Sequence, residues 1–262
     1  MTASPVAAAS LPLLAAPWSV PGVGAAMSTR GGGVSAAPWD SLNLGAGVDD
    51  DPQAVAENRR RFVAALGGAR PVWLRQVHGK DVLRLDAATL EHPDAAADAC
   101  WTSERGIACI VGAADCLPVL LARCDGAAVG AAHAGWRGLA AGVVESLVEA
   151  ICEGSGCRPA VLCAWLGPCI GPERFEVRAD VLQAFGTQPA PHDLPHFAFR
   201  PRADGSARWL ADLQGLAAKR LRVMGLADVQ ATSACTASDA SRFFSFRREG
   251  RTGRMAAAVW RR

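Results

Sequence analysis

Three residues with metal-binding side chains lie within residues 78 to 133, one in a loop between two predicted strands and two at the ends of apolar runs. His78 lies in RQVHGKD, Cys116 follows an apolar run in VGAADCLPVLL, and His133 ends the next run in AAVGAAHAGWRG. Imidazole and thiolate are ligands that zinc and copper favour. Three protein ligands leave the fourth position of a zinc ion open, which is typical of a catalytic site. The residue types therefore predict a catalytic metal site at His78, Cys116 and His133, with zinc as the expected ion and copper as the alternative.

The same residues allow two other interpretations. The Cys116 thiolate could be a nucleophile with His133 as its general base, and His78 or Asp115 would then orient the imidazole. A purely structural metal clip is disfavoured, because a closed zinc site would need a fourth protein ligand. In a metal enzyme, Asp115 is a candidate for proton transfer. The five histidines include no His-x-His pair, which speaks against a multicopper oxidase core.

Four polar residues near these positions are candidates for substrate binding. Arg30 stands at the mouth of a loop of three glycines, whose backbone N–H groups could approach a ligand closely. Arg137 lies in the turn after His133, where a helix N-terminus could help it to hold phosphate. Asn43 and Gln76 could bind a sugar or a base, and each could equally stabilise a turn.

The composition indicates a globular protein. Of the 262 residues, 50% are hydrophobic and 20% are charged, which argues against disorder. A formal net charge of +2 gives no strong attraction to nucleic acid or to an anionic membrane. Nine cysteines is an odd number, and a chain of this length needs no disulfides. We therefore expect reduced thiols, a cytoplasmic location, a monomer, and neither nucleic acid nor membrane as a partner.

The pattern of elements predicts a flexible N-terminal arm over residues 1–24 and one catalytic domain over residues 25–262. The first seventeen residues lack a positively charged start, so we do not expect an export signal. Strands and helices mix without a strict alternation, and this favours an α+β fold with a mixed sheet flanked by helices. The apolar segments 107–114 and 127–132 predict central strands that are buried on both faces.

Local signals predict several boundaries of elements. Asp51-Pro52 is a good helix start, and Gly67 is a good helix end. Two strands should bracket His78, and a single helix should follow the GWRG turn. Segment 187–208 is rich in proline and polar residues and is predicted to be a long excursion loop. The C-terminal segment predicts a β-hairpin around Glu249-Gly250, from which Arg247 and Arg254 could reach the site.

Seven segments occur in an order that is typical of one known family: STRGGGVS, SLNLGAGVDDDPQAVAENRRRF, VWLRQVHGKDV, ADCLPVLL, AAHAGWRGL, WLGPCIGPERFEV and FFSFRREGRTGRMAAAVW. Over roughly residues 25 to 260, the chain resembles the YfiH-type family. Members of that family have been called laccase-domain proteins, polyphenol oxidases, purine nucleoside phosphorylases and peptidoglycan editing factors. None of the three ligand positions departs from the family pattern, and loop 187–208 matches no motif of it.

The resemblance implies that His78, Cys116 and His133 hold the metal, which is generally zinc. It implies phosphorolysis of adenosine, inosine and 5′-methylthioadenosine to the free base and the (methylthio)ribose 1-phosphate, together with deamination of adenosine. The implied partners are small purine nucleosides and phosphate. Two alternatives remain, namely hydrolysis of an amide in a peptidoglycan precursor and copper-dependent oxidation of phenols. The implied fold is an α+β arrangement that is shared with cysteine-type toxin deamidases.

Overall fold

The computed structural model describes residues 11–90 and 96–262, in which fourteen strands and six helices are found. In chain order the strands are β1 (Leu13–Ala15), β2 (Val23–Ser28), β3 (Arg70–Trp73), β4 (Val82–Arg84), β5 (Ala99–Thr102), β6 (Ile107–Ala113), β7 (Leu117–Arg123), β8 (Val129–Ala134), β9 (Leu162–Leu166), β10 (Glu176–Val177), β11 (Phe197–Phe199), β12 (Trp209–Ala211), β13 (Asp228–Ala231) and β14 (Met255–Arg261). The helices are α1 (Pro52–Ala65), α2 (Trp136–Ala141), α3 (Val143–Ser155), α4 (Ala179–Ala184), α5 (Leu213–Val223) and α6 (Phe246–Glu249).

Two large mixed sheets form the centre of the fold, which confirms the α+β prediction. One sheet has the order β1-β2-β14-β6-β3, and the other has the order β13-β9-β7-β8-β5-β4. A small third sheet has the order β10-β12-β11. None of the described helices is long and apolar enough to cross a bilayer.

The strands are buried on both faces because the two sheets pack face to face between layers of helices. In β6, the side chains of Cys109 and Val111 point into the core between the sheets, and those of Ala108 and Ile110 point to the core under α1. In β7 the same alternation directs Leu120 inward between the sheets. Period-two alternation with two apolar faces produces the continuous apolar runs that the sequence shows. The order of layers is helix, sheet, sheet, helices.

Helix α1 begins and ends as its sequence predicts. The side chain of Asp51 caps it by accepting a hydrogen bond from the Gln53 N–H at 3.0 Å, and proline occupies the first turn. The single helix predicted after GWRG is instead two helices. Gly142, with a φ of 100°, ends α2 and begins α3, because a left-handed residue cannot continue a right-handed helix.

Two other predictions differ from the structure in the extent of regular structure. Strand β1 lies within the stretch that was expected to be an arm, and it pairs antiparallel with β2; residues 1–10 lie outside the described residues. Segment 187–208 contains β11, which pairs with β12 to form the small sheet. Hydrogen bonding between these strands satisfies backbone groups that an irregular loop would leave to water.

The predicted C-terminal β-hairpin is wrong. Residues 246–249 form the short helix α6, in which the Ser245 hydroxyl accepts a hydrogen bond from the Arg248 N–H at 3.2 Å. Strand β14 pairs with β2 on one edge and with β6 on the other. Because both edges of β14 are already occupied, no edge is free for a sequential partner strand.

Candidate metal centre and cavity

The three predicted ligands meet at one point of the fold. His78 lies in the loop between β3 and β4, and His133 is the second-last residue of β8. Cys116 lies in the short turn between β6 and β7, where the chain crosses from one large sheet to the other. Pro118 of β7 is paired with His133, so the register brings Cys116 beside the end of β8.

The ligand atoms are close enough to share one ion. The donor atoms of His78, Cys116 and His133 all lie within 4.8 Å of one another. The Cys116 Sγ atom is 3.9 Å from the His78 Nε2 atom, and the two imidazole rings meet edge to face with 4.8 Å between centroids. Among the described residues, this is the one cluster of three or more potential metal ligands.

Asp98 is the residue that builds this cluster, and it was not among the predicted site residues. Its Oδ1 atom lies 2.8 Å from the Nδ1 atom of His133, and its backbone carbonyl accepts a hydrogen bond from the His133 N–H at 2.7 Å. Ala99 of β5 is paired with Ala132 of β8, so the antiparallel register sets Asp98 opposite His133. With Nδ1 bound to the carboxylate, His133 is left with Nε2 as its donor toward the cluster.

Asp98 also fixes the loop that carries His78. Its carboxylate accepts hydrogen bonds from three successive backbone N–H groups, those of Val77 at 3.0 Å, His78 at 2.9 Å and Gly79 at 2.7 Å. The backbone of His78 is left-handed, with a φ of 60°, which costs of order 1 kcal/mol or more for a residue with a side chain. The three hydrogen bonds stabilise this conformation, so one carboxylate, itself 0% exposed, positions two of the three ligands.

The protonation equilibria at the site follow from burial and from these contacts. Burial opposes ionisation of the Cys116 thiol, but hydrogen bonds with His133 and His78 lower the pKa of Cys116 to about 6. Burial also disfavours the imidazolium, but hydrogen bonds with Asp98 and Cys116 raise the pKa of His133 to about 9. Burial likewise opposes the Asp98 carboxylate, and the hydrogen bonds that it accepts lower the pKa of Asp98 overall. Without metal, these contacts therefore favour a thiolate on Cys116 beside an imidazolium on His133.

The donor set fits a zinc ion. Zinc binds thiolate sulfur at about 2.3 Å and imidazole nitrogen at about 2.0 Å, which places donors of a tetrahedral site roughly 3.3 to 3.8 Å apart. The 3.9 Å between Sγ of Cys116 and Nε2 of His78 is close to this range. The carboxylate of Asp98 behind His133 is the usual outer partner of a metal-binding histidine.

Two glycines allow this close approach. A Cβ atom on Gly135 would lie 2.8 Å from Cδ2 of His78 and 3.1 Å from the sulfur of Cys116. A Cβ atom on Gly138 would lie 2.8 Å from the carbonyl oxygen of Gly79. The glycines of the GWRG turn therefore let the start of α2 pack directly against the loop of His78.

Asp115 lies next to Cys116 in sequence but directs its carboxylate to another part of the chain. Its Oδ1 atom accepts a hydrogen bond from the Thr236 hydroxyl at 2.6 Å, and its Oδ2 atom accepts from the Ser245 hydroxyl at 3.0 Å and the Arg247 N–H at 2.7 Å. Its backbone is left-handed, with a φ of 87°. These contacts attach the Cys116 turn to the segment before α6, and the Asp115 side chain does not line the cavity described below.

Asn43 and Gln76 both bind backbone groups. The Asn43 Oδ1 atom accepts from the Gly45 N–H at 2.9 Å and from the Arg254 N–H at 2.8 Å. The Gln76 amide donates to the Gly112 carbonyl at 2.9 Å and accepts from the Gly112 N–H at 2.7 Å, as a neighbouring strand would. Gln76 lines the cavity and Asn43 lies behind it.

The structure separates the four arginines that the sequence singles out. Arg30 binds Asp40 and lies 3.0 Å from the Glu249 carboxylate, outside the cavity lining. Arg137 is exposed and stacks on the neighbouring ring of Trp136, with 4.3 Å from its guanidinium carbon to the ring centroid. Arg247 donates to carbonyl oxygens away from the triad. Arg254 does line the cavity.

A cavity of about 630 Å³ opens beside the triad. Residues 44–48, a glycine-rich loop, form one wall, and the end of β6 forms another. Its charged side chains, apart from the triad, are the arginines Arg59, Arg75 and Arg254. Arg59 and Arg75 were not among the predicted site residues, and the glycines in the wall are those of the 44–48 loop rather than the predicted Gly31, Gly32 and Gly33. A volume of this size suits a ligand of nucleoside dimensions.

The chain is similar to known proteins over almost its whole length. The model of the family described as "multi-copper polyphenol oxidoreductase laccase" matches residues 24–262 of the chain. A purine nucleoside phosphorylase of Pseudomonas aeruginosa is 48% identical over 244 residues, which cover 93% of this chain and 96% of that protein. The purine nucleoside phosphorylase YfiH of Escherichia coli is 45% identical over 250 residues, with coverages of 95% and 98%.

Solved structures show the same fold. The Neisseria meningitidis protein NMB0706 is 40% identical and superposes with a TM-score of 0.85, covering 95% of this chain and 98% of that one. YlmD from Geobacillus stearothermophilus is 31% identical, with a TM-score of 0.82 and coverages of 92% and 93%. The resemblance to the YfiH-type family and the single-domain mixed fold are thereby confirmed.

Proposed function

The chain belongs to the family described as multi-copper polyphenol oxidoreductase laccase, which includes YfiH, and from this membership and its site we propose that it is a metal-dependent purine nucleoside phosphorylase. The observation that carries the proposal is the cluster of three ligands, with donor atoms within 4.8 Å, at the end of a cavity of about 630 Å³. Relatives at 45% and 48% identity that are named purine nucleoside phosphorylases support the substrate class.

The proposed substrates are adenosine, inosine and 5′-methylthioadenosine. In phosphorolysis, an oxygen of dihydrogen phosphate forms a bond to C1′ of the ribose, and the bond from C1′ to N9 of the purine breaks. The electron pair of that bond leaves with the purine, and the proton of the phosphate ends on the purine nitrogen. The products are the free base and ribose 1-phosphate, so atoms and charge balance. Hydrolytic deamination of adenosine, in which water adds at C6 and ammonia leaves to give inosine, is proposed as a second activity of the same cavity.

His78, Cys116 and His133 would hold the metal, for which we propose zinc. A zinc ion held there would supply Lewis-acid stabilisation of negative charge that develops on a ligand. Asp98 orients His133 and the loop of His78, and Asp115 holds the Cys116 turn against the segment before α6. We therefore propose positioning roles for both carboxylates.

The uncharged walls of the cavity would hold the nucleoside. Gln76 keeps Gly112 in the wall by its two hydrogen bonds, and Asn43 holds the glycine loop. Phe246 at the start of α6 lines the cavity and is 59% exposed, so its ring is available for stacking on a purine. A monomer in the cytoplasm, acting on small molecules, remains our expectation for its context.

A product assay tests the proposal. Zinc-loaded protein incubated with adenosine and phosphate should release adenine and ribose 1-phosphate, and omission of phosphate should leave only inosine as product. Cys116→Ala should abolish adenine release, because the thiolate ligand is lost. Cys124→Ala, which removes an exposed cysteine outside the triad, should behave as wild type. Absence of adenine, hypoxanthine and inosine from every reaction of the metal-loaded protein would refute the proposal.

One observation favours a second candidate function, hydrolysis of an amide in a peptidoglycan precursor. The Asp98 carboxylate orients the His133 imidazole, and this imidazole would be the general base for the Cys116 thiolate, as in cysteine hydrolases. In that case Asp98 takes the orienting role expected for His78 or Asp115. Release of an amino acid from a UDP-MurNAc-linked substrate by metal-free protein, with nucleosides unchanged, would identify this function.

A further inference from the structure

The described lining of the cavity carries positive charge and no carboxylate. Its three arginines are Arg59, Arg75 and Arg254, and neither aspartate nor glutamate is among the lining residues. Carboxylates elsewhere in this protein neutralise most of the partly buried arginines, as Glu249 does for Arg30 and Glu145 does for Arg220. A concave cationic wall whose lining contains no carboxylate attracts anions.

Arg254 is the arginine of this wall that is electrostatically linked to the triad, since the charge of Cys116 acts on its guanidinium. Its Nη1 group donates to the carbonyl oxygens of Thr252 at 3.0 Å and Gly253 at 3.1 Å, which fixes the guanidinium. Within the described residues, Nε and Nη2 have no hydrogen-bond partner and no carboxylate forms an ion pair with Arg254. Burial lowers the pKa of Arg254, and the opposing effect of negative charge at Cys116 and Asp115 is smaller.

The glycine loop, residues 44–48, faces Arg254 and supplies backbone donors. A Cβ atom on Gly45 would lie 2.7 Å from Cγ of Arg254, so the stem of the arginine packs directly on the loop. The N–H groups of Ala46 and Gly47 donate to no other described group, and both residues are exposed. The Oδ1 atom of Asn43 accepts from the N–H groups of Gly45 and Arg254, so one amide holds both sides together.

The other cations are placed differently. Arg59 donates to the carbonyl of Leu44 at 2.9 Å and stacks on Trp73 with 4.0 Å to the ring centroid, so these contacts hold its guanidinium. Arg75 lines the cavity and is exposed. Arg30 and Arg137, the two arginines that the sequence favours for phosphate, do not line the cavity.

We propose that inorganic phosphate binds between the free donors of Arg254 and the N–H groups of the 44–48 loop, on the triad side of the cavity. A fixed guanidinium fork beside backbone N–H groups matches the oxygens of phosphate in charge and geometry. The role of this phosphate as the nucleophile rests on the proposed phosphorolysis. In this position the phosphate would lie next to the proposed metal ligands. Arg75 and Arg59 add to the positive charge that attracts the anion to the cavity.

The test compares Arg254→Gln and Arg254→Lys with the control Arg251→Gln, which changes an exposed arginine stacked on Trp39 outside the cavity. Two quantities are measured: the Kd of inorganic phosphate by calorimetry without nucleoside, and the KM values for phosphate and adenosine. Arg254→Gln should raise the Kd and KM of phosphate about 10- to 100-fold, as expected for lost charged hydrogen bonds. Arg254→Lys keeps the charge but loses the planar guanidinium, so its Kd and KM for phosphate should lie between those of wild type and Arg254→Gln. The KM for adenosine should change less than about threefold in both variants.

The outcomes separate this inference from the proposed function. Phosphorolysis by wild type with an unchanged phosphate KM in Arg254→Gln and Arg254→Lys overturns the phosphate site alone. No phosphorolysis by wild type, combined with Arg254-dependent phosphate binding, overturns the proposed function and leaves the anion site. Arg254-dependent binding of AMP without binding of inorganic phosphate shows that the anion belongs to a phosphorylated substrate, and this also overturns the inference. If Arg254→Gln does not fold, Arg254→Lys decides.

Discussion

Replacing Asp98 tests the idea that one buried carboxylate positions two metal ligands. In Asp98→Asn, one of the two oxygens becomes an NH2 group with almost the same shape. The carboxylate serves four donors: the N–H groups of Val77, His78 and Gly79 and the Nδ1 group of His133. An amide nitrogen cannot accept, so about two of these four hydrogen bonds are lost.

The expected magnitudes follow from those contacts. Two lost hydrogen bonds at about 1 kcal/mol each predict a destabilisation of about 2 kcal/mol. For a domain of this size, that lowers Tm by about 4 to 8 °C. Loss of the outer partner of a metal-binding histidine typically lowers metal affinity 10- to 100-fold. Zinc affinity should therefore fall by this factor, and more in Asp98→Ala, in which all four acceptor contacts disappear.

The assay is competition for zinc against a chromophoric chelator, with thermal unfolding of metal-free protein in parallel. Asp86→Asn is a matched control, because Asp86 also accepts backbone N–H groups, from Ala88 at 3.0 Å and Thr89 at 3.1 Å, at a surface turn outside the triad. That control should keep wild-type zinc affinity. An Asp98→Asn protein that melts lower but binds zinc within about threefold of wild type would show that Asp98 stabilises the fold without positioning the ligands.

Three further predictions concern the surroundings of the site. Gly135→Ala should lower zinc affinity at least about tenfold with little change in backbone strain, because the new methyl group meets His78 and Cys116. Competition for zinc against a chelator measures this loss of affinity. Glu249→Gln should lower the free energy of unfolding by about 1 to 2 kcal/mol at pH 7. Burial opposes the Glu249 carboxylate, but hydrogen bonds from Thr252, Arg248 and Ser245 lower its pKa. The difference in unfolding free energy between Glu249→Gln and wild type should therefore be complete above the pKa of an unfolded glutamate, about 4.3. It should vanish as the pH falls through the pKa of Glu249 in the folded protein. Urea unfolding at several pH values measures this difference, and a difference that persists in acid would contradict the prediction. Removing metal with a chelator should lower Tm, because a ligand that binds only the folded state stabilises it, and added zinc should restore Tm in wild type but not in Cys116→Ala.

Much of the fold is visible in local sequence. The helix start at Asp51-Pro52 and the buried strands β6 and β8 follow from capping chemistry and from runs of apolar residues. Both signals depend on neighbours within a few positions. The C-terminal segment lacks such a signal. The formation of helix α6 depends on contacts that are distant in sequence. The Glu249 carboxylate binds Arg30, near the other end of the chain, and both edges of the following strand β14 are already paired.

The sequence alone predicted a metal site at His78, Cys116 and His133, because Cys116 and His133 follow buried apolar runs and His78 lies in a loop between two strands. The partner of His133 was decided only by the tertiary structure. Asp98 faces it through the register of β5 against β8, and no local pattern specifies a pairing between strands that are 27 or more residues apart. The amides of Asn43 and Gln76 illustrate the same limit, since their backbone partners Arg254 and Gly112 are distant in sequence. Which arginine lies beside the metal ligands is likewise a consequence of packing: Arg30 is neutralised by Glu249, and Arg254 keeps free donors inside the cavity.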